Sequence, residues 1–237
     1  MAVTSRYESV SVEGDQYDAY CAVPESGSGT GVLVFQEIFG INDNIREVAD
    51  RLAGAGYVTL APDMFWRIER RFERKDESGL SDAFTVVQQL NFEEAVEDIR
   101  AAHAHLEGMP ECTGKIGAVG FCLGGALAFA AATQSRVNGR GIDAAVCYYG
   151  SAISDMLNQV EGLECPSMYH YGSSDAFITP EKIDEVEAAL QGCPGVEFHR
   201  YAAGHAFSNW DAPSMYNEAA AEEAWTRTLG FFARHLG

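Results

Sequence analysis

The chain has 237 residues, with 35 acidic against 16 basic side chains and a formal net charge of −19. That charge repels nucleic acid and anionic membrane surfaces, so neither is an expected partner. No uninterrupted apolar stretch reaches spanning length, and the opening "MAVTSRYESVSVEG" has no signal-peptide core. The expectation is one α/β domain over residues 1–237 in the cytoplasm. The six cysteines (Cys21, Cys112, Cys122, Cys147, Cys165 and Cys193) form no C-x-x-C pair and no zinc-ligand cluster with histidine. They read as reduced thiols, most of them small core hydrophobes such as Cys147 inside "AAVCYYG".

In chain order, "SVSVEG" and "YDAYCAV" predict a β-hairpin, and Gly31–Glu37 ("GVLVFQE") a buried parallel strand. Ile45, Val48, Ala49 and Leu52 keep helical spacing up to "GAGY". Tyr57–Phe65 is the next strand. Trp66–Gly79 is a polar, arginine-bearing excursion, and one helix is expected from about Leu80 to Leu106. The apolar run Ile116–Phe121 then meets the Ala- and Leu-rich run Leu123–Ala132, a strand followed by a buried helix. Further strands are expected at "AAVCYYG", "PSMYHYGSSD" and "VEFHRYAAGHAF". A helix after Thr179 has an N-cap, Pro180 in its first turn and acidic neighbours, and a last helix runs from about Asn217 to His235. Strands alternating with helices imply a mostly parallel sheet covered on both faces. Ligand sites in such sheets lie beyond the carboxyl ends of the strands, where this chain places Glu37, Asp63, Cys122, Asp175 and His205.

Gly120, Gly124 and Gly125 bracket Cys122 at the strand-to-helix junction. That is the context of a nucleophile elbow, written G-x-C-x-G; the alternative is a structural cysteine beside a glycine-packed helix start. A thiol needs a base to become a good nucleophile, and histidine is the usual one. Of six histidines only His205, in "AAGHAF", sits in a small-residue loop directly after a strand. Asp175 ends "HYGSSD", placed either to orient that imidazole or to cap the following turn. The order Cys122, Asp175, His205 is the nucleophile–acid–histidine order of a known hydrolase architecture.

The segments "VFQEIFGIN", "GYVTLAPDMF", "GFCLGGALAF", "YYG", "HYGSSDAFITP" and "AGHAF" together resemble the dienelactone hydrolase (carboxymethylenebutenolidase) family of α/β-hydrolases. The resemblance implies an α/β-hydrolase fold and a Cys122–His205–Asp175 triad that opens a lactone or ester through a thioester. It further implies that Glu37 contacts the resting thiol and helps take its proton, and that the N–H groups of Leu123 and Ile38 form an oxyanion hole. The independent reading of Glu37 is a strand-end carboxylate paired with an arginine such as Arg46. No metal or organic cofactor is implied, and nothing speaks to oligomeric state.

The family's carboxylate-binding arginine falls at Asn209, and its other carboxylate contacts fall at Leu80 and Phe84. A neutral lactone or ester is therefore the expected substrate, with Phe84 and Asn209 as contacts. Arg67, or Arg70, Arg71, Arg74 and Lys75 beside it, is the candidate for restoring anion recognition; the alternative is a solvated basic loop. Two other readings stand beside this one: a general carboxylesterase or thioesterase of the same fold, and a non-catalytic ligand-binding module.

Overall fold

The computed structural model describes residues 3–237. Its single sheet has eight strands: β1 (Thr4–Val12), β2 (Asp15–Val23), β3 (Gly29–Phe35), β4 (Val58–Pro62), β5 (Cys112–Phe121), β6 (Ala144–Tyr148), β7 (Ser167–Gly172) and β8 (Val196–Tyr201). They lie in the order β1-β2-β4-β3-β5-β6-β7-β8. The expected hairpin is β1 against β2, antiparallel, and β2 also pairs antiparallel with β4. From β4 through β8 every pairing is parallel.

Six α-helices cover this sheet: α1 (Asp43–Gly54), α2 (Leu80–Val87), α3 (Phe92–Gly108), α4 (Leu123–Gln134), α5 (Pro180–Leu190) and α6 (Glu218–His235). Register fixes the two faces. Val32 pairs with Gly117, and Gly31 with Ile116. A side chain at Gly31 would meet Leu106 of α3, whereas one at Gly117 would meet Phe232 and Leu236 at the end of α6. Successive strand residues point to opposite faces, so α3 and α6 flank the sheet from opposite sides. Helix α4 is buried on all sides from Leu123 to Thr133, which explains its lack of a polar stripe. Among the described residues no helix is long and apolar enough to cross a membrane.

One expectation is corrected. The helix predicted from Leu80 to Leu106 is two helices, broken at residues 88–91. Asn91 accepts hydrogen bonds from the N–H groups of Glu93 and Glu94 and starts α3 afresh. After this break α2 stands apart from α3, and its Leu80, Phe84 and Val87 share a cavity with Cys122 and His205. The cap at Thr179 is as the sequence predicts, and Asn217, near the expected start of the last helix, caps α6 by accepting from the Ala220 N–H.

Candidate active site

Cys122 sits between β5 and α4 with φ 55° and ψ −115°, a left-handed conformation unusual for a side-chain-bearing residue. Holding it there costs about 1–3 kcal/mol, and the surroundings must supply that. The elbow is closed by contacts that only glycine allows. A Cβ on Gly120 would run into the Gly124 carbonyl, and one on Gly124 would lie 2.6 Å from the Gln36 carbonyl oxygen. The Cys122 N–H is held by the Tyr148 carbonyl at 3.0 Å. The sulfur is thereby aimed outward at the sheet's carboxyl edge.

His205 comes from the loop after β8 and Asp175 from the loop after β7. The Cys122 sulfur lies 3.2 Å from His205 Nε2, and His205 Nδ1 donates to Asp175 Oδ2 at 2.7 Å. The Asp175 side chain is fully buried. Its other oxygen accepts the N–H groups of Phe177 at 2.8 Å and Ile178 at 2.9 Å, so it caps the turn and orients the imidazole at once. Burial works against a charge on His205, but a thiolate at Cys122 and the Asp175 carboxylate outweigh it and raise the imidazole above the usual histidine range, so a proton leaving the thiol is held on the ring. The Leu123 N–H opens α4 and has no acceptor within the helix. Leu123 and Ile38 face the same cavity as Cys122.

Glu37 departs from expectation. Its oxygens accept from Tyr149 Oη at 3.1 Å and Asn209 Nδ2 at 2.6 Å, while the thiol rests on His205 rather than on Glu37. Burial raises the Glu37 carboxyl above its ordinary range, although both donors and His205 oppose that shift. Arg46 is not its partner, for it pairs with Asp43 and Glu73. Tyr149 was not anticipated. It is buried at φ 36°, and its ring packs against that of His205 with centroids 5.1 Å apart. Burial, followed by the Glu37 charge, pushes its phenol well up, so it remains a hydrogen-bond donor to Glu37. Its sequence signals are its place in the "YYG" segment and its position next to a strand end that registers with the elbow, Tyr148 opposite Phe121.

The cavity over Cys122 measures about 380 Å³. Ile38, Phe39, Leu80, Phe84, Val87, Leu90, Phe92, Phe177 and Met215 make its walls apolar, and Glu37 and His205 are its titratable members besides the thiol. Phe84 thus lines it as expected. Asn209 does not; it is buried and committed to Glu37. Arg67 is also elsewhere. Its guanidinium grips buried Asp98 at 2.9 and 3.1 Å and lies over the Trp66 ring, because an unpaired carboxylate there would be costly. Arg70, Arg71 and Arg74 are likewise engaged, by the Gln16 carbonyl, Asp18 and Asp82. Asp63, near the sheet edge, accepts the N–H groups of Phe65 and Arg71 and shapes the excursion.

A side chain on a strained strand–helix elbow, facing a histidine and an acid from later strand ends, is the arrangement of an α/β-hydrolase. Comparison with known proteins agrees and narrows it. The family model of the dienelactone hydrolase family matches residues 17–236, and the chain belongs to that family. It is 35% identical to a carboxymethylenebutenolidase of Pseudomonas sp. strain P51, over 93% of this chain and 91% of that one. With carboxymethylenebutenolidase 1 of Cupriavidus pinatubonensis it shares 32% identity over 95% of each. The crystal structure of a candidate dienelactone hydrolase from Klebsiella pneumoniae superposes with a TM-score of 0.86 at 26% identity, covering 99% of this chain and 100% of that one. The chain is accordingly a dienelactone hydrolase-like hydrolase.

Proposed function

We propose that this enzyme hydrolyses an uncharged lactone or ester through a thioester on Cys122. The sulfur attacks the carbonyl carbon as its proton passes to His205 Nε2, and the carbonyl π pair moves onto oxygen. The N–H groups of Leu123 and Ile38 receive that oxyanion, the first with the positive end of α4 behind it. Collapse of the tetrahedral intermediate breaks the C–O bond, and His205 returns the proton to the departing oxygen. In a lactone that oxygen stays tethered to the acyl group. Water, deprotonated by His205, then attacks the thioester; the acid leaves and the thiol is reprotonated. Asp175 holds the Nδ1–H tautomer throughout and stabilises the imidazolium.

Glu37 takes a role narrower than direct contact with the thiol. As a buried carboxylate on the cavity wall it opposes a free thiolate and any second anion, and so gates the sulfur electrostatically. That charge, together with walls that carry no lysine or arginine among the described residues, favours neutral substrates. A buried anion without a cation costs several kcal/mol.

The observation that carries the reading is the continuous Sγ–Nε2, Nδ1–Oδ2 chain on the strained elbow. Alkylation with iodoacetamide tests it: loss of turnover should track labelling of Cys122, and Cys122→Ala should be inactive on esters. Inactivation that follows another cysteine, or an active Cys122→Ala, overturns it.

A further inference from the structure

The cavity over Cys122 adjoins a second depression. Phe92 and Ala152 line the cavity, and the same two residues line this larger depression of about 770 Å³ between α3 and the 3-10 segment Ile153–Gly162. Both are partly exposed, so they form a low sill at the surface. The helix break at Asn91 creates this geometry, since it makes Phe92 the first residue of α3.

The two compartments differ in chemistry. The inner one is almost wholly apolar. The outer one has an apolar floor that includes Met156, and it is rimmed by the amides of Gln134, Asn158 and Gln159 together with carboxylates such as Glu93. Its one cation, Arg100, is already bound to Glu97 and to the Gln134 carbonyl. An anionic group would meet carboxylates there and no uncommitted cation. A neutral hydroxyl or amide group would find donors and acceptors.

We propose that the substrate is elongated and uncharged, apolar on one side of the scissile carbonyl, where it fills the Cys122 cavity, and bearing hydroxyl or amide groups on the other, which cross the Phe92–Ala152 sill into the α3 groove. This rests on the ester-hydrolase reading of Cys122 and adds a second subsite to it. The groove acts on binding of the outer part of the substrate, so its contribution falls on KM more than on kcat.

The test uses two mirrored ester series, because either side of the carbonyl can face the groove. One comprises phenylacetate esters of methanol, n-butanol and 4-hydroxybutanamide. The other comprises phenyl esters of acetic, pentanoic and 5-amino-5-oxopentanoic acids. In one series the amide-tailed ester should exceed both the truncated and the alkyl member by about tenfold in kcat/KM, the worth of one or two neutral hydrogen bonds. Met156→Trp, which fills the groove, should bring the amide-tailed ester down to the truncated one. Gln159→Ala should erode the advantage without adding bulk. Absence of an amide advantage in both series, an alkyl tail that performs equally well, or an advantage that survives both variants would overturn the proposal. Turnover of the truncated esters that persists in Cys122→Ala would instead count against the underlying reading.

Discussion

Gly124→Ala probes whether the elbow sets the reaction geometry. Gly124 lies in the first turn of α4, and its φ is not in the positive range. Alanine therefore suits its backbone, and helix propensity alone would make the variant about 1 kcal/mol more stable. Packing works the other way. The new Cβ would stand 2.6 Å from the Gln36 carbonyl oxygen and 2.6 Å from the Phe35 carbonyl carbon, with the Phe35 oxygen closer still. These are backbone atoms that cannot rotate aside, so α4 and the end of β3 must separate. Overpacking of this kind costs about 1–3 kcal/mol. The net loss of up to about 2 kcal/mol lowers Tm by roughly 4–8 °C for a chain of this size. The functional cost is larger. The chain leaving β3 carries Ile38 and α4 starts at Leu123, so the clash drives apart the two N–H groups assigned to the oxyanion. A misplacement near 1 Å costs on the order of 100-fold in rate. The assay is kcat/KM on a neutral aryl ester well below Tm, beside Tm itself. Gly108→Ala is the control, because a Cβ there meets nothing within 4 Å. Wild-type kcat/KM and Tm in Gly124→Ala would refute the reasoning.

Asp175→Asn keeps an oxygen for the Phe177 and Ile178 N–H groups but turns an NH₂ toward His205 Nδ1, so kcat/KM should fall on the order of 10³–10⁴-fold with little change in Tm. Combined with His205→Ala it should be scarcely worse than the poorer single variant, whereas additive losses would show that the two do not act as a unit. Glu37→Gln removes the buried charge while its amide can still pair with Asn209 and Tyr149. The folded protein holds the Glu37 proton more tightly than the unfolded chain, so in the wild type this group's contribution is fully present below the ordinary glutamate range. It is lost as pH rises through the raised folded value. The Tm advantage of Glu37→Gln should thus grow across that interval and then level off; a pH-independent difference would contradict it. Alkylation of the resting thiol should also quicken in this variant. Finally, kcat/KM for a carboxylated lactone should lie well below that of its methyl ester, and a salt-sensitive preference for the acid would refute the neutral-substrate reading.

The sequence already carried the strand runs, the caps and the three residues of the Cys–His–Asp chain. Parallel strands buried on both faces read as apolar runs; Cys122 and Asp175 follow buried strands and His205 follows the mixed edge strand β8, so chain order and strand ends locate the three together. Partners were harder to read. Arg67 stands in the sequence as a free cation because Asp98 lies 31 residues away, on another element. The family resemblance implies a substrate-contacting role for Asn209, yet Glu37, 172 residues distant, captures it. Local pattern does not encode such pairings; they arise from the requirement that buried carboxylates be hydrogen-bonded. The break before α3 was legible in principle. Asn91 followed by two glutamates is a helix start, but the apolar periodicity on either side masked it, with no glycine or proline to interrupt it.

The central claim, a covalent thioester at Cys122, is met most directly by intact-protein mass spectrometry after rapid acid quench of a neutral ester turnover. A transient mass increase equal to the acyl group is expected, found on the peptide that contains Cys122, released by hydroxylamine and absent from Cys122→Ala. Steady hydrolysis with no adduct at any quench time in a variant slowed at deacylation, or an acyl group located on another residue, would contradict it.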